Sequence, residues 1–307
     1  MIVSNSFEVL RQQRSAVTIG TFDGVHVGHQ KIIKHLVGIA KSKGLKSVVL
    51  TFFPHPRMVL NSHHDIKLLN TIEEKSKLLE ELGVDGLIVL PFTKEFSNQT
   101  ALEFVQNTLV NGLGVAHLVV GYDHRFGNNR EADVNDLVAL GLQFNFVVEQ
   151  IEAQDIAEVT ISSTKIRNAL QNGEVKLASQ YLGYEYNFVG KVIHGQALGR
   201  QLGYPTANLQ LENEEKITPK NGVYAVRVKW NSSSFDGMMN IGYNPTLSDQ
   251  GISFEVHLFD FEGDLYGENL EVHFVSRLRN EIKFDDIEAL KSQLLADKNR
   301  ALAILRK

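Results

Sequence analysis

The sequence predicts an α/β protein of two domains: an N-terminal doubly wound parallel sheet, then a small antiparallel β-barrel with a closing helix. Three observations carry that expectation. The first half alternates short, nearly continuous Val/Ile/Leu runs with helical patterns, as buried parallel strands and their crossovers do. Near residues 183–190 this gives way to short strands bounded by Gly, Pro and Asn, spaced as in a barrel. At 307 residues the chain is also long enough for two compact domains, at roughly 100–200 residues each. The expected domains are 1–183 and 184–307.

In the first half, buried strands are expected at 15–20 (SAVTIG), 47–53 (SVVLTFF), 85–92 (DGLIVLPF) and 116–122 (AHLVVGY). The clearest helix is NTIEEKSKLLEELG, with Thr71 as its cap, Glu74 completing a capping box and Gly83 as its stop. In the second half, strands are expected within NFVGKVIHG, NGVYAVRVKW, GMMNIGYNPT, ISFEVHLFD and LEVHFVSRLR. The closing helix DDIEALKSQLLADKNRALAIL takes Asp285 as its cap. No repeat of 20–50 residues and no low-complexity linker separates the halves.

Composition excludes several classes of function. The net charge is −5 with no dense Lys/Arg cluster, whereas a nucleic-acid binder shows a basic face that neutralises phosphates. The longest apolar runs fall far short of the ~20 residues that span a bilayer. The N-terminus lacks the basic start and apolar stretch of a secretory signal. With zero cysteines there are no disulfides or thiolate metal sites, which suits the cytoplasm. Nothing in the sequence speaks to oligomeric state.

SAVTIGTFDGVHVGHQKIIKHL (15–36) reads as strand, glycine turn, helix. Gly20 and Gly24 tolerate unusual backbone and close ligand approach. A helix beginning near His26 aims its free N–H groups at the same spot, which makes an anion site. His26 and His29, at i and i+3, share a face and can reach one phosphate. A metal reading would need further ligands, for which Asp123 and His124 are available. Two histidines in a glycine turn favour phosphate over zinc.

GTFDGVHVGHQ resembles the HxGH signature of the nucleotidyltransferase superfamily. Followed by TFFPHP (51–56), GYDHRFG (121–127) and ISSTKIR (161–167), it is similar to the FMN adenylyltransferase module of bacterial bifunctional riboflavin kinase/FAD synthetases. The resemblance implies adenylyl transfer from ATP to FMN, giving FAD and pyrophosphate. It implies an ATP site of Gly20, Phe22, Asp23, Gly24, His26 and His29, with Ser162, Ser163, Thr164 and Arg167 on the leaving phosphates. FMN would be met by Asp123 and Phe126.

GKVIHGQALGRQLGYPTAN (190–208) packs glycines densely but is no Walker A loop. By themselves Gly195, Gly199 and Gly203 read as barrel corners. The PTAN ending resembles the ATP–Mg²⁺ signature of riboflavin kinases, which implies an ATP site of Gly195, Gly199, Arg200, Gly203, Thr206 and Asn208. Thr206 and Asn208, at i and i+2 on extended chain, point to one side and offer the oxygens Mg²⁺ takes.

A kinase also needs a carboxylate to deprotonate or orient the acceptor hydroxyl. FEVHLFD (254–260) and LEVHFVS (270–276) supply Glu255 and Glu271, each opposite an apolar stripe, and periodicity does not choose between them. The resemblance does. Riboflavin kinases place this Glu in the strand before a DLYG turn, here 264–267, which makes it Glu255. RLRNEIKF (277–284) resembles the family's flavin-site loop and implies Arg279 as a flavin contact. The whole implies an enzyme that makes FMN from riboflavin and then FAD, handling ATP, ADP and pyrophosphate with Mg²⁺. A chain with only its kinase active, and a flavin sensor without turnover, are the rival readings.

Overall fold

The computed structural model describes every residue except 11–12, 61–65, 122–124, 129–130, 152–160, 196–198, 200–201, 244–250, 285 and 307. The chain divides into two compact units, Met1–Ser162 and Ser163–Lys307.

The first unit is built on six strands: β1 (Ile2–Ser4), β2 (Ser15–Ile19), β3 (Lys46–Phe53), β4 (Gly86–Pro91), β5 (Val115–Gly121) and β6 (Val147–Ile151). They form one sheet in the order β1-β4-β3-β2-β5-β6, every pairing parallel. All four expected strands are present. The two edge strands β1 and β6 were not foreseen, being short or only half-buried and so lacking a continuous apolar run.

The helices of this unit are α1 (Val27–Lys43), α2 (Pro56–Leu60), α3 (Ile72–Glu81), α4 (Lys94–Ser97), α5 (Ala101–Phe104) and α6 (Val134–Phe144). Strand side chains alternate between two cores. Val17, Val48, Leu50, Ile88, Leu118 and Val120 pack with Phe104, Leu109 and Phe146 on one face. Ala16, Val49, Leu87 and Val119 pack with Ile33, Leu36 and Ala40 of α1 on the other. At α3 the sequence signals hold: Thr71 Oγ1 accepts the Glu74 N–H at 3.2 Å, and Glu74 returns a carboxylate oxygen to the Thr71 N–H at 3.0 Å. Gly83 follows in left-handed backbone, φ 84°.

Connections from β2 run to β3 on one side, and β5 lies on the other. The carboxyl end of β2 is therefore the switch point of the doubly wound sheet, the place such folds bind ligands.

In the second unit α7 (Ser163–Asn172) and α8 (Val175–Leu182) precede a closed antiparallel barrel. Its strands are β7 (Asn187–Ile193), β8 (Ala207–Leu211), β9 (Gly222–Trp230), β10 (Ser233–Tyr243), β11 (Ile252–Leu258) and β12 (Asn269–Arg279), in the order β10-β11-β8-β7-β12-β9. The compact division thus falls ahead of the pattern change near 183, because α8 packs on β12 and the Tyr186 N–H bonds Ser179 Oγ. Aromatic rings fill the interior, with Phe188 against Phe254 and Phe274 at 5.5 and 5.3 Å.

The closing helix α9 (Ile287–Leu305) lays Ala301 and Leu305 on Val223, Ala225, Met238, Phe259 and Leu278, outside the barrel. Its cap is Asp286, whose carboxylate accepts the Ala289 N–H at 2.8 Å. That is one residue beyond the expected Asp285, which lies outside the described residues. Both aspartates suit a cap, and only helix phase decides between them.

Candidate active sites

The first site is the turn after β2. Its unusual backbone falls on Phe22 (φ 43°), Gly24 (φ 86°) and Val25 (φ 35°), rather than on Gly20 as expected. Gly20 matters for space instead, since a Cβ there would lie 3.1 Å from the Phe22 ring. Non-glycine residues at positive φ cost of order 1–3 kcal/mol each and persist where surroundings over-determine them.

His26 caps α1, and its Nδ1 accepts the His29 N–H at 3.4 Å. The two imidazoles stack 3.6 Å apart, and the Phe22 ring meets His29 edge-on at 5.2 Å. Burial pushes His26 down to about 4, with Asp23 pulling the other way. Burial, then His26 and Lys75, hold His29 well below the usual histidine range. Both rings are therefore neutral near pH 7. Because His26 Nδ1 is an acceptor, its proton sits on Nε2, leaving a donor for a phosphate oxygen. His29 Nδ1 is buried without a hydrogen bond among the described residues.

Asp23, expected at ATP, is buried, and its carboxylate accepts the N–H of Leu69 at 3.0 and 3.1 Å and of Asn70 at 3.2 Å. Phe126, expected at FMN, is buried in the core with its ring 6.0 Å from Phe104. Ser162 ends the first unit, while Ser163, Thr164 and the buried Arg167 belong to α7 in the second. Asp123 and His124 lie outside the described residues. Among those described, no three His, Asp or Glu side chains gather to hold a metal ion.

The second site lies on the outer face of the barrel. Strand register sets Glu255 directly between Asn208 of β8 and Asn240 of β10. Directly paired residues share a face, so the three side chains form one row. The row continues to Val223, which packs under α9 outside the barrel. Burial raises the Glu255 carboxyl above its usual range. Gly195 leaves room for this row: a Cβ there would lie 2.0 Å from Asn208 Nδ2. At Gly199 a Cβ would meet the Tyr204 carbonyl at 2.3 Å and Thr206 Oγ1 at 3.2 Å.

His257, two residues along from Glu255, donates from Nδ1 to the Pro205 carbonyl at 2.7 Å and so ties β11 to the chain entering Thr206. The alternation reads His257 as outward-facing, and it is, yet it is buried because Tyr204 and Phe259 pack on it. Glu281 sits beside the row, where a Cβ on Gly242 would meet its Oε1 at 2.0 Å and Asn240 Nδ2 at 3.1 Å.

Glu271 occupies a different place, pairing with His273 at 2.8 Å and Lys229 at 4.0 Å. Arg279 has its guanidinium taken by Asp297, Nε to the carboxylate at 2.9 and 3.1 Å and Nη2 at 2.8 Å. Gly203 adopts φ 81° with nothing nearby, a turn residue. Arg200 lies outside the described residues.

Sequence reasoning missed Asn240, His257 and Lys75. Only Lys75 left a signal, a lysine in phase with Ile72 and Leu79 on the buried stripe of α3.

The FAD synthetase family matches residues 9–165 and the riboflavin kinase family residues 182–305. A bifunctional riboflavin kinase/FMN adenylyltransferase of Listeria monocytogenes is 42% identical over 95% of this chain and 92% of its own. The protein of that name from Haemophilus influenzae is 41% identical over 95% and 94%. A Streptococcus pneumoniae crystal structure named as a macrolide-efflux protein superimposes with a TM-score of 0.88, at 33% identity, over 97% of this chain and 98% of its own. Among the described residues no helix is long and apolar enough to cross a membrane. The chain belongs to the bifunctional riboflavin kinase/FMN adenylyltransferase family.

Proposed function

We propose that the chain phosphorylates riboflavin to FMN in its barrel and adenylylates FMN to FAD in its parallel-sheet half, using ATP in both steps. The functional division is taken at 183/184. The observation that supports this reading is that each half carries a cluster suited to phosphate chemistry: stacked neutral histidines at a sheet switch point, and a half-buried carboxylate between two asparagines.

In adenylyl transfer, an FMN phosphate oxygen attacks the α-phosphorus of ATP in line, and the bond to pyrophosphate breaks. No covalent enzyme intermediate is needed, so catalysis is positioning and charge stabilisation. His26 donates from Nε2 to an α-phosphate oxygen and His29 supports it. The glycine turn and the first N–H groups of α1 complete the cradle. The resemblance assigns the leaving phosphates to Ser162, Ser163, Thr164 and Arg167, hydroxyls and a guanidinium that suit them chemically. Asp123 would meet FMN, whereas Phe126, buried against Phe104, does not.

In the kinase step, Glu255 accepts the proton of the ribityl hydroxyl as that oxygen attacks the γ-phosphorus of ATP, and ADP leaves. A carboxyl raised by burial is a better base than an exposed one at neutral pH. Thr206 and Asn208 each offer an oxygen of the kind Mg²⁺ takes, and Gly195 leaves room at the Asn208 carboxamide. When bound, Mg²⁺ would neutralise charge on the transferring phosphates. Asn240 stands beside Glu255 on the neighbouring strand, and Gly199, Arg200 and Gly203 belong to the ATP loop. Arg279, fixed by Asp297, borders the flavin. The protein works in the cytoplasm and has neither nucleic acid nor membrane as a partner.

The test is chromatography of flavins after mixing the protein with riboflavin, ATP and Mg²⁺. Riboflavin should pass through FMN to FAD. Arrest at FMN would refute the adenylyltransferase half, and flavin binding without turnover would refute both.

A further inference from the structure

The strained turn that carries His26 and His29 is held from below by a segment nothing in the reaction uses directly. Lys75 of α3 is buried, and its ammonium donates to the Thr21 carbonyl at 2.7 Å. The same carbonyl accepts Thr51 Oγ1 from β3 at 3.2 Å. Two residues along the turn, the Asp23 carboxylate takes the N–H groups of Leu69 and Asn70, just ahead of α3. The stretch 69–75 thus grips the turn at two successive points, through the carbonyl of Thr21 and the side chain of Asp23.

We propose that Lys75 and Asp23 form a buried clamp that positions the His26–His29 turn for adenylyl transfer, Lys75 acting through the backbone and never touching ATP. The proposal rests on the reading of that turn as the α-phosphate site.

Three features argue for a positioning role rather than plain core packing. A lysine on a helix stripe that otherwise buries Leu79 is costly, since burying an ammonium loses its hydration. Desolvation pushes Lys75 down to about 8, with Asp23 restoring part of the charge. Apolar packing would satisfy α3 without that cost. The hydrogen bonds land inside the stretch whose backbone is strained, between Gly20 and Val25, where φ is 43° at Phe22 and 35° at Val25. Finally, Phe22 lies between the two clamped residues, and its ring packs on the His29 imidazole at 5.2 Å. A loosened clamp would therefore move the histidine pair itself.

A shift of about 1 Å in a reacting group costs on the order of 100-fold in rate. The experiment uses the full chain and measures FAD and pyrophosphate formed from FMN and ATP, alongside FMN formed from riboflavin. Lys75→Met should lower kcat for FAD formation on the order of 100-fold, with KM for ATP within about threefold and FMN formation unchanged. Asp23→Asn, which keeps the shape but loses acceptor capacity, should show the same split and serves if Lys75→Met fails to fold.

His29→Ala separates the two levels of inference. If it abolishes FAD formation while Lys75→Met and Asp23→Asn retain full activity, the clamp is wrong and the site stands. If His29→Ala forms FAD normally, the α-phosphate reading itself fails. A loss spread equally over both reactions, or carried in KM alone, would assign Lys75 and Asp23 to general stability and overturn the proposal.

Discussion

Adding one methyl group at Gly195 tests the barrel site without removing any candidate catalytic group. A Cβ there would sit 2.0 Å from Nδ2, 2.5 Å from Cγ and 2.9 Å from Oδ1 of Asn208. Real Cβ contacts do not fall below 3.0 Å, so the carboxamide must retreat by at least about 1 Å. Because its backbone is paired to Ile193 on one side and Glu255 on the other, Asn208 retreats by turning its side chain, which carries the carboxamide out of the row. Misplacing an aligned group by this much costs on the order of 100-fold, or about 2.7 kcal/mol of transition-state stabilisation. Gly195→Ala should therefore cut riboflavin phosphorylation about 100-fold while FAD formation from supplied FMN is untouched. The assay is flavin chromatography under saturating ATP and Mg²⁺, with circular dichroism to confirm the fold. Gly267→Ala is the control. Its φ of 82° has open space around it, so the change should cost about 1 kcal/mol of stability and leave the active-site row in place. Kinase activity of Gly195→Ala within threefold of the parent, with the fold intact, would remove Asn208 from the mechanism.

Further outcomes follow from the same geometry. Glu255→Gln should lower FMN formation by 10²–10⁴-fold, about the worth of a general base, and spare FAD formation from FMN. If Glu271→Gln does this instead, the carboxylate has been misassigned. His29→Ala should do the reverse, sparing FMN and stopping FAD, as followed by pyrophosphate release. Asp297→Ala strips the partner from Arg279 in a pair whose side chains are 4% and 15% exposed, respectively. Breaking such a pair costs about 3 kcal/mol or more, which should lower the thermal transition of the barrel unit by roughly 10 °C.

Stability against pH reports Lys75. Its folded value of about 8 lies below the ordinary lysine value of 10.5, so between those limits the unfolded chain holds a proton that the fold has released. Stability of the parent should rise with pH across that window relative to Lys75→Met, by up to about 3 kcal/mol, measured as urea midpoints. Asp23 and His29 are the groups whose charge acts on or feels Lys75, and His29 stays neutral throughout. A flat difference between the two proteins would show that Lys75 is not buried as described.

By itself the sequence determined the two architectures, most of their strands and the motifs of both sites. Parallel strands covered on both faces must be continuously apolar, barrel strands must alternate, and caps use a few residue types at fixed offsets. Those are local rules, so β2 to β5, the Thr71–Glu74 box and the start of α1 at His26 could all be written down from residue order. Edge strands β1 and β6 escaped because half-exposed segments carry no such pattern.

The tertiary structure alone decided who faces whom. Periodicity put Glu255 and Glu271 on equivalent faces of similar strands. Only barrel register set the first between Asn208 and Asn240 and the second beside Lys229 and His273. It likewise gave Asp23 to Leu69 and Asn70, Lys75 to Thr21 and Arg279 to Asp297, across 46, 54 and 18 positions of chain. The backbone strain at Phe22 and Val25 belongs here too, since neither residue type prefers positive φ and only the surrounding contacts impose it. A sequence encodes the face each side chain presents, whereas the partner across that face is fixed when distant segments pack together.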